Sequence, residues 1–193
     1  MPDLSDVTLQ TARLTLRLPV LADADAIFAM RSDPVVQRYG SHPPWTERQL
    51  ALDWIERNAR GMAAGEHAQF VIERRDDGVV VGSCTLYGLD AQCRRAEVGY
   101  ALAVSEWGKG YAYEAVSVML DWGFDQLDLN RVEADIDPRN APSARALERL
   151  GFTREGHLRE RWIVGGEISD SWIYALLARE WRATRASRAG AAP

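Results

Sequence analysis

Residues 96–136 read AEVGYALAVSEWGKGYAYEAVSVMLDWGFDQLDLNRVEADI. From Ala96 to Val104 the residues alternate. Val98, Tyr100, Leu102 and Val104 share one face of an extended strand, and Glu97, Gly99 and Ala101 share the other. From Gly110 to Leu127 the period lengthens. Ala112, Ala115, Val116, Met119, Leu120, Phe124 and Leu127 form one helical stripe. Val132, Ala134 and Ile136 then mark a second strand, with Glu133 and Asp135 opposite. A strand, a helical crossover and a strand require parallel pairing with right-handed connection.

The rest of the chain adds antiparallel partners. Arg13 to Leu18 alternates as a strand. Asp23 is an N-cap candidate for a short helix carrying Ile27 and Met30, which Pro34 ends. Residues 39–45 form a loop. Thr46 and Gln49 have capping-box spacing before Leu50, Trp54 and Ile55, and Gly61 is the stop. Strands at 69–74 and 79–86 flank the hairpin signal Asp77-Gly78. Asn140 to Leu150 is a helix with Pro142 in its first turn and Gly151 beyond its end. Strands at 162–164 and 168–177 close over Gly165-Gly166. The expected fold is α/β (α+β): a mixed, mostly antiparallel central sheet with one parallel pair and helices packed on it. Residues 1–10 are expected to be a flexible N-terminus, 11–182 a single domain, and 183–193 a disordered tail of Ala, Arg, Gly and Ser.

Composition narrows the classes. A chain of 193 residues buries enough surface to fold without a disulfide or metal staple. The formal net charge of -5 argues against nucleic acid as a partner. Two cysteines, Cys84 and Cys93, make no disulfide framework, and their spacing to the three histidines fits no metal site. No apolar run reaches the length of a membrane span, and the acidic start lacks a signal peptide's apolar segment. A cytoplasmic protein with no membrane partner is expected.

The chemistry concentrates in residues 104–114, which join a strand end to the strongest helix. Gly108 and Gly110 permit close backbone approach, and the first-turn amides of the helix make an anion site. Lys109, the only lysine, sits between them. A turn without a ligand remains one reading. A nucleotide-hydrolase P-loop needs a glycine where Ala103 stands, and a dinucleotide fingerprint needs one where Tyr113 stands. A pyrophosphate loop of the acetyl-coenzyme A type is the third reading.

Four ordered motifs carry a resemblance: Glu97-Val98-Gly99-Tyr100, Trp107 to Ala115, Asn140-Ala141-Pro142-Ser143, and Leu150-Gly151-Phe152. Together they resemble the GNAT N-acetyltransferase superfamily, and most closely its Rim branch, which acetylates ribosomal-protein N-termini. Leu158-Arg159-Glu160, the Gly165-Gly166 turn, Asp170 and Tyr174 add to the likeness, which runs from about Thr11 to Trp181. The resemblance implies the acyl-CoA N-acyltransferase fold, with helices on both sheet faces and a splayed parallel pair. It implies acetyl-CoA as cosubstrate, no metal, an amine acceptor, and a monomer or homodimer.

The resemblance also assigns residues. Trp107, Gly108, Lys109, Gly110, Tyr111 and Ala112 would hold the pyrophosphate, with Trp107 standing where the family has Gln or Arg. Leu102, Ala103 and Val104 would offer backbone bonds to the pantetheine arm, one amide near them would receive the oxyanion, and Asn140 would bind the arm or only cap its helix. Glu97 is the candidate base, or else pairs with Arg94 or Arg95. Leu147 stands at the usual tyrosine position, so Ser143 is the candidate acid, or only decorates the helix start. Tyr39, His42, Trp45, Tyr87, Trp162 and Trp172 would line the acceptor side, with Asp90 or Asp170 meeting a cation. The acceptor would be a protein N-terminal α-amine. A small-molecule amine, or a non-catalytic CoA-binding role, are the alternatives. Cys84, in an apolar strand, reads as a core residue.

Overall fold

The computed structural model describes residues 3–190. Eight strands form one sheet: β1 Leu9–Gln10, β2 Leu14–Arg17, β3 Ala68–Arg74, β4 Val80–Asp90, β5 Arg95–Leu102, β6 Arg131–Ile136, β7 Thr153–Val164 and β8 Glu167–Leu177. Their spatial order is β1-β2-β3-β4-β5-β6-β8-β7. Every neighbouring pair is antiparallel except β5 and β6, which are parallel. The helices are α1 Ala24–Ser32, α2 Gln49–Ala63, α3 Tyr111–Asp125, α4 Ala141–Leu150 and α5 Ala178–Gly190. This matches the mixed sheet and the parallel crossover expected from the sequence.

The alternation within each strand sorts side chains between two cores. On one face Leu14, Phe70, Leu86, Val98 and Val132 pack with Val116, Met119 and Leu120 of α3 and Leu147 of α4. On the other, Val71 packs with Ala24 and Ile27 of α1 and Ala51, Trp54 and Ile55 of α2. Leu147 is fully buried. Cys84 is buried as expected.

Several local expectations are corrected. The capping box at Thr46 does not form; α2 begins at Gln49, and its N-cap Arg48 makes no side-chain cap bond. Asp23 precedes α1 without capping it. Its buried carboxylate instead accepts the Val20 N–H at 2.8 Å and both Arg17 guanidinium nitrogens. The last hairpin starts at Thr153, well before 162. Nearly every residue of β7 is exposed, so that edge strand carries no apolar alternation.

Both terminal segments carry regular structure. Leu4 is only 2% exposed, its N–H donates to the Met62 carbonyl at 3.0 Å, and β1 lies within residues 1–10. The tail expected from residue 183 continues a helix to Gly190. Trp181 anchors it: the ring is buried and its Nε1 donates to Asp121 at 2.8 Å. Arg185 adds bonds to Asp121 and Asp125. Residues 1–2 and 191–193, which belong to the flexible ends expected from the sequence, lie outside the described residues.

Candidate functional site

Parallel pairing of β5 with β6 covers Arg95–Glu97 against Arg131–Glu133 and then stops. Both strands run on, β5 to Leu102 and β6 to Ile136. The sheet is therefore split at its centre, on the carboxyl side of its parallel strands. Ala103 N–H donates to the Val81 carbonyl at 2.9 Å, toward β4. The ladder alternates, so the backbone groups of Tyr100 and Leu102 face the split. The Leu102 carbonyl is capped there by the Trp107 indole Nε1 at 2.9 Å. Of the three backbone positions expected to serve the carrier arm, Ala103 thus has its N–H turned away, and Leu102 keeps only its N–H. Val104 accepts the Trp107 N–H at 3.1 Å.

The chain leaves β5 through a single 3-10 turn, Val104–Glu106. Gly108 and Gly110 both adopt positive φ, +78° and +83°. That left-handed backbone suits glycine and turns the chain sharply into α3. The first bond of α3 runs from Glu114 N–H to the Gly110 carbonyl, leaving the Tyr111 and Ala112 amides without an intrahelical acceptor. Those amides carry the positive end of the helix.

Charges brace this turn. Arg13 donates from Nε to Glu114 at 2.7 Å and from Nη1 to the Lys109 carbonyl at 3.1 Å, and lies 4.7 Å over the Tyr111 ring. Burial pushes the Glu114 carboxyl up, but bonds from Thr11 and Arg13 outweigh it and hold the group below its ordinary value. Lys109 reaches Glu106 at 3.1 Å, and the same carboxylate accepts from Arg74. A cleft of about 720 Å³ opens beside the turn, lined by Thr11, Arg13, Lys109, Gly110, Tyr113 and Arg149. Arg149 lies 4.5 Å over the Tyr113 ring.

The two faces of the split carry different groups. On the α1/α2 face, Tyr87 hydroxyl donates to Glu97 Oε2 at 3.0 Å. Burial, then the Glu97 charge, push the Tyr87 hydroxyl's pKa up, so it stays a donor. Among the described residues Glu97 has no ion pair; Arg94 joins Asp128, and Arg95 joins Asp90 and Glu133. On the α3/α4 face, Tyr100 hydroxyl lies 2.8 Å from Ser143 Oγ. Asn140 caps α4 by accepting the Ser143 N–H at 3.2 Å.

Comparison with known proteins decides the family. A sequence model described as an acetyltransferase (GNAT) domain matches residues 13–153. The chain belongs to the GNAT acetyltransferase family. It is an N-acetyltransferase of the kind that includes Rim-like proteins. A Bacillus licheniformis relative, the uncharacterized N-acetyltransferase p20, is 40% identical over 174 residues, covering 90% of this chain and 98% of the relative. A Vibrio cholerae structure described as "a putative ribosomal-protein-serine acetyltransferase" superposes with TM-score 0.80 at 25% identity, over 92% of this chain and 99% of that one. A spermidine N-acetyltransferase of Vibrio cholerae, in complex with CoA and spermine, shares the fold with TM-score 0.79 at 23% identity, over 89% of this chain and 99% of that one. The family's acyl donor is acetyl-CoA.

Of the residues expected to line an acceptor, only some gather on one face of the sheet. Tyr87 adjoins Glu97, and Trp162 Nε1 donates to Asp135 on the same sheet face at 3.3 Å. Tyr39 is exposed between Arg38 and Arg139, whose guanidinium carbons stand 5.7 and 5.8 Å from its ring. Both arginines reach Glu167, which ties the α1–α2 loop to the β7–β8 turn. Trp45 stacks on His42 and covers Arg31. Burial pushes Arg31 down to about 10, and its Nη1 donates to His42 Nε2 at 3.2 Å. Trp172 is not on this face. It packs in the α3/α4 core beneath Arg154. Asp170 is bound to His157 at 2.7 Å, and Asp90 to the Cys93 amide.

Sequence reasoning missed Tyr100, Arg13, Arg149, Asp135 and Glu167. Each meets its partners from a distant part of the chain or across a strand, where no local spacing signals it. Among the described residues no helix is long and apolar enough to cross a membrane. No group of three or more metal-ligating side chains occurs among them.

Proposed function

We propose that this GNAT enzyme acetylates a protein N-terminal α-amine by direct attack in a ternary complex with acetyl-CoA. One observation carries the reading: the central split has a carboxylate, Glu97, on one face and a hydroxyl, Ser143, on the other, with a helix N-terminus at its end. Acetyl-CoA supplies the acetyl group as a thioester. Its pyrophosphate fits the Trp107–Ala112 turn, where free amides face outward. Arg149 and Lys109 offer charge to the phosphates of the cleft. The Tyr100 backbone groups hold the carrier arm along β5. The Leu102 N–H, in line with the split, receives the developing oxyanion.

Glu97, held by Tyr87, takes the proton that the amine sheds. An α-amine, with a pKa of about 7.7–8.0, needs little help near neutral pH. Ser143 faces the leaving sulfur. No step uses Cys84, whose thiol burial pushes up. A small-molecule amine is the second reading, favoured by the Arg38–Glu167–Arg139 bridge that ties the α1–α2 loop to the start of β8. The deciding experiment is acetylation of a panel of N-terminal peptides against spermidine and amino sugars, followed by thiol release. A marked preference for peptides supports the proposal, and turnover of metabolite amines alone removes it.

A further inference from the structure

We infer that Tyr100 is a positioning residue for the leaving group, acting through Ser143. This deepens the proposed reaction and rests on it. Tyr100 belongs to β5 and Ser143 to the first turn of α4, which follows β6. Their hydroxyls, 2.8 Å apart, therefore bridge the two sides of the split on the face opposite Glu97.

Burial pushes the Tyr100 hydroxyl's pKa up, only partly offset by Ser143, so the group keeps its hydrogen. The Ser143 carbonyl is 3.5 Å away, a poorer acceptor than Oγ at 2.8 Å. In the proposed arrangement Tyr100 donates to Ser143 Oγ, and the serine hydrogen turns outward into the split. Asn140 fixes the serine backbone from the other side through the Ser143 N–H.

The serine hydrogen faces the sulfur of a thioester lying in the split. When the C–S bond breaks, its electron pair goes to sulfur, and the Ser143 hydrogen bonds to it. Neither hydroxyl gives up its proton; a serine alkoxide or a buried phenolate would be a far stronger base than the thiolate. Water later protonates the thiolate, and Glu97 holds the amine's proton. The arrangement stands in for a phenol at position 147, where the leucine side chain has no hydroxyl and is buried in the core.

The test is a double-mutant cycle of Tyr100→Phe and Ser143→Ala on the full chain. Its first readout needs no acceptor: the affinity of CoA relative to desulfo-CoA, by calorimetry. The second is kcat and KM for the better of two probes, a serine-initiated peptide and spermidine. Each single variant is expected to lower the CoA preference and to lower kcat about tenfold, the loss of one hydrogen bond to a charged group. The KM for acetyl-CoA should change little, and the double variant should be no worse than Ser143→Ala. Multiplying losses, or a Tyr100→Phe protein identical to wild type, would overturn the inference. If Ser143→Ala alone leaves both readouts unchanged, the serine's role fails and the inference fails with it. Failure of both CoA and desulfo-CoA to bind would instead sink the carrier reading.

Discussion

The Trp107 indole N–H donates to the Leu102 carbonyl across 2.9 Å, closing the turn that links β5 to α3. The ring itself is 47% exposed. A residue that faces solvent thus holds the backbone through its polar edge. Trp107→Phe keeps the ring and removes the donor. It is expected to cost about 1 kcal/mol of stability and to weaken CoA several-fold. Calorimetry and thermal melts check both, and unchanged CoA affinity would remove the bond from the binding site.

Gly110 tests the backbone of the same turn. A Cβ added there would meet Arg13 Nη2 at 3.6 Å, an ordinary contact. The cost of Gly110→Ala is therefore conformational, about 1–2 kcal/mol for an L-residue at positive φ. Gly108→Ala carries a similar strain in open space. Both proteins should melt earlier. Gly110→Ala, at the helix start, should also lower CoA affinity, and by more than Gly108→Ala does. Equal affinity in the two variants would separate the helix N-terminus from phosphate binding.

Glu97 is the residue on which the proposed base chemistry stands. Glu97→Gln keeps the Tyr87 contact and removes the proton acceptor. Turnover should fall by about 10²–10⁴ while CoA binding stays intact. A rate within a factor of about two of wild type would assign the proton to water or another group.

Acid should loosen the Arg13–Glu114 brace. Glu114 has a folded-state pKa below its ordinary value, so its contribution to stability is present above that ordinary value. The contribution is lost as pH falls through the folded-state pKa. Melting temperature should therefore decline on the acid side, and Glu114→Gln should flatten that decline. An identical acid limb in the two proteins would contradict the assignment.

The two cysteines should separate cleanly under alkylation. Cys93 is exposed, whereas Cys84 is buried and its thiol is pushed up by burial. Iodoacetamide should modify Cys93 in the native protein, leave Cys84 untouched, and spare activity. Loss of activity on Cys93 modification would show a role for the β4–β5 loop, which the proposed chemistry does not use.

Much of the architecture was legible one segment at a time. Alternation marked β5 and β6, and the apolar stripe of α3 forced their parallel arrangement. Asn140, Pro142 and Gly151 bounded α4 by their own chemistry. Where local signals were weak, the reading failed. The exposed strand β7 has no apolar period, and α5 is held by Trp181 against Asp121, sixty residues earlier. The Thr46 capping box had the right spacing but not the right backbone.

The chain's local pattern determined that a strand meets a glycine turn and a strong helix, because periodicity and turn preference depend on adjacent residues. Only the tertiary structure decided where β5 and β6 part, and that Trp172 packs on the face away from Glu97. It alone paired Tyr87 with Glu97 and Tyr100 with Ser143. Those pairings depend on strand register and on how α4 returns to the sheet, and a one-residue shift in register would turn every one of these side chains to the other face.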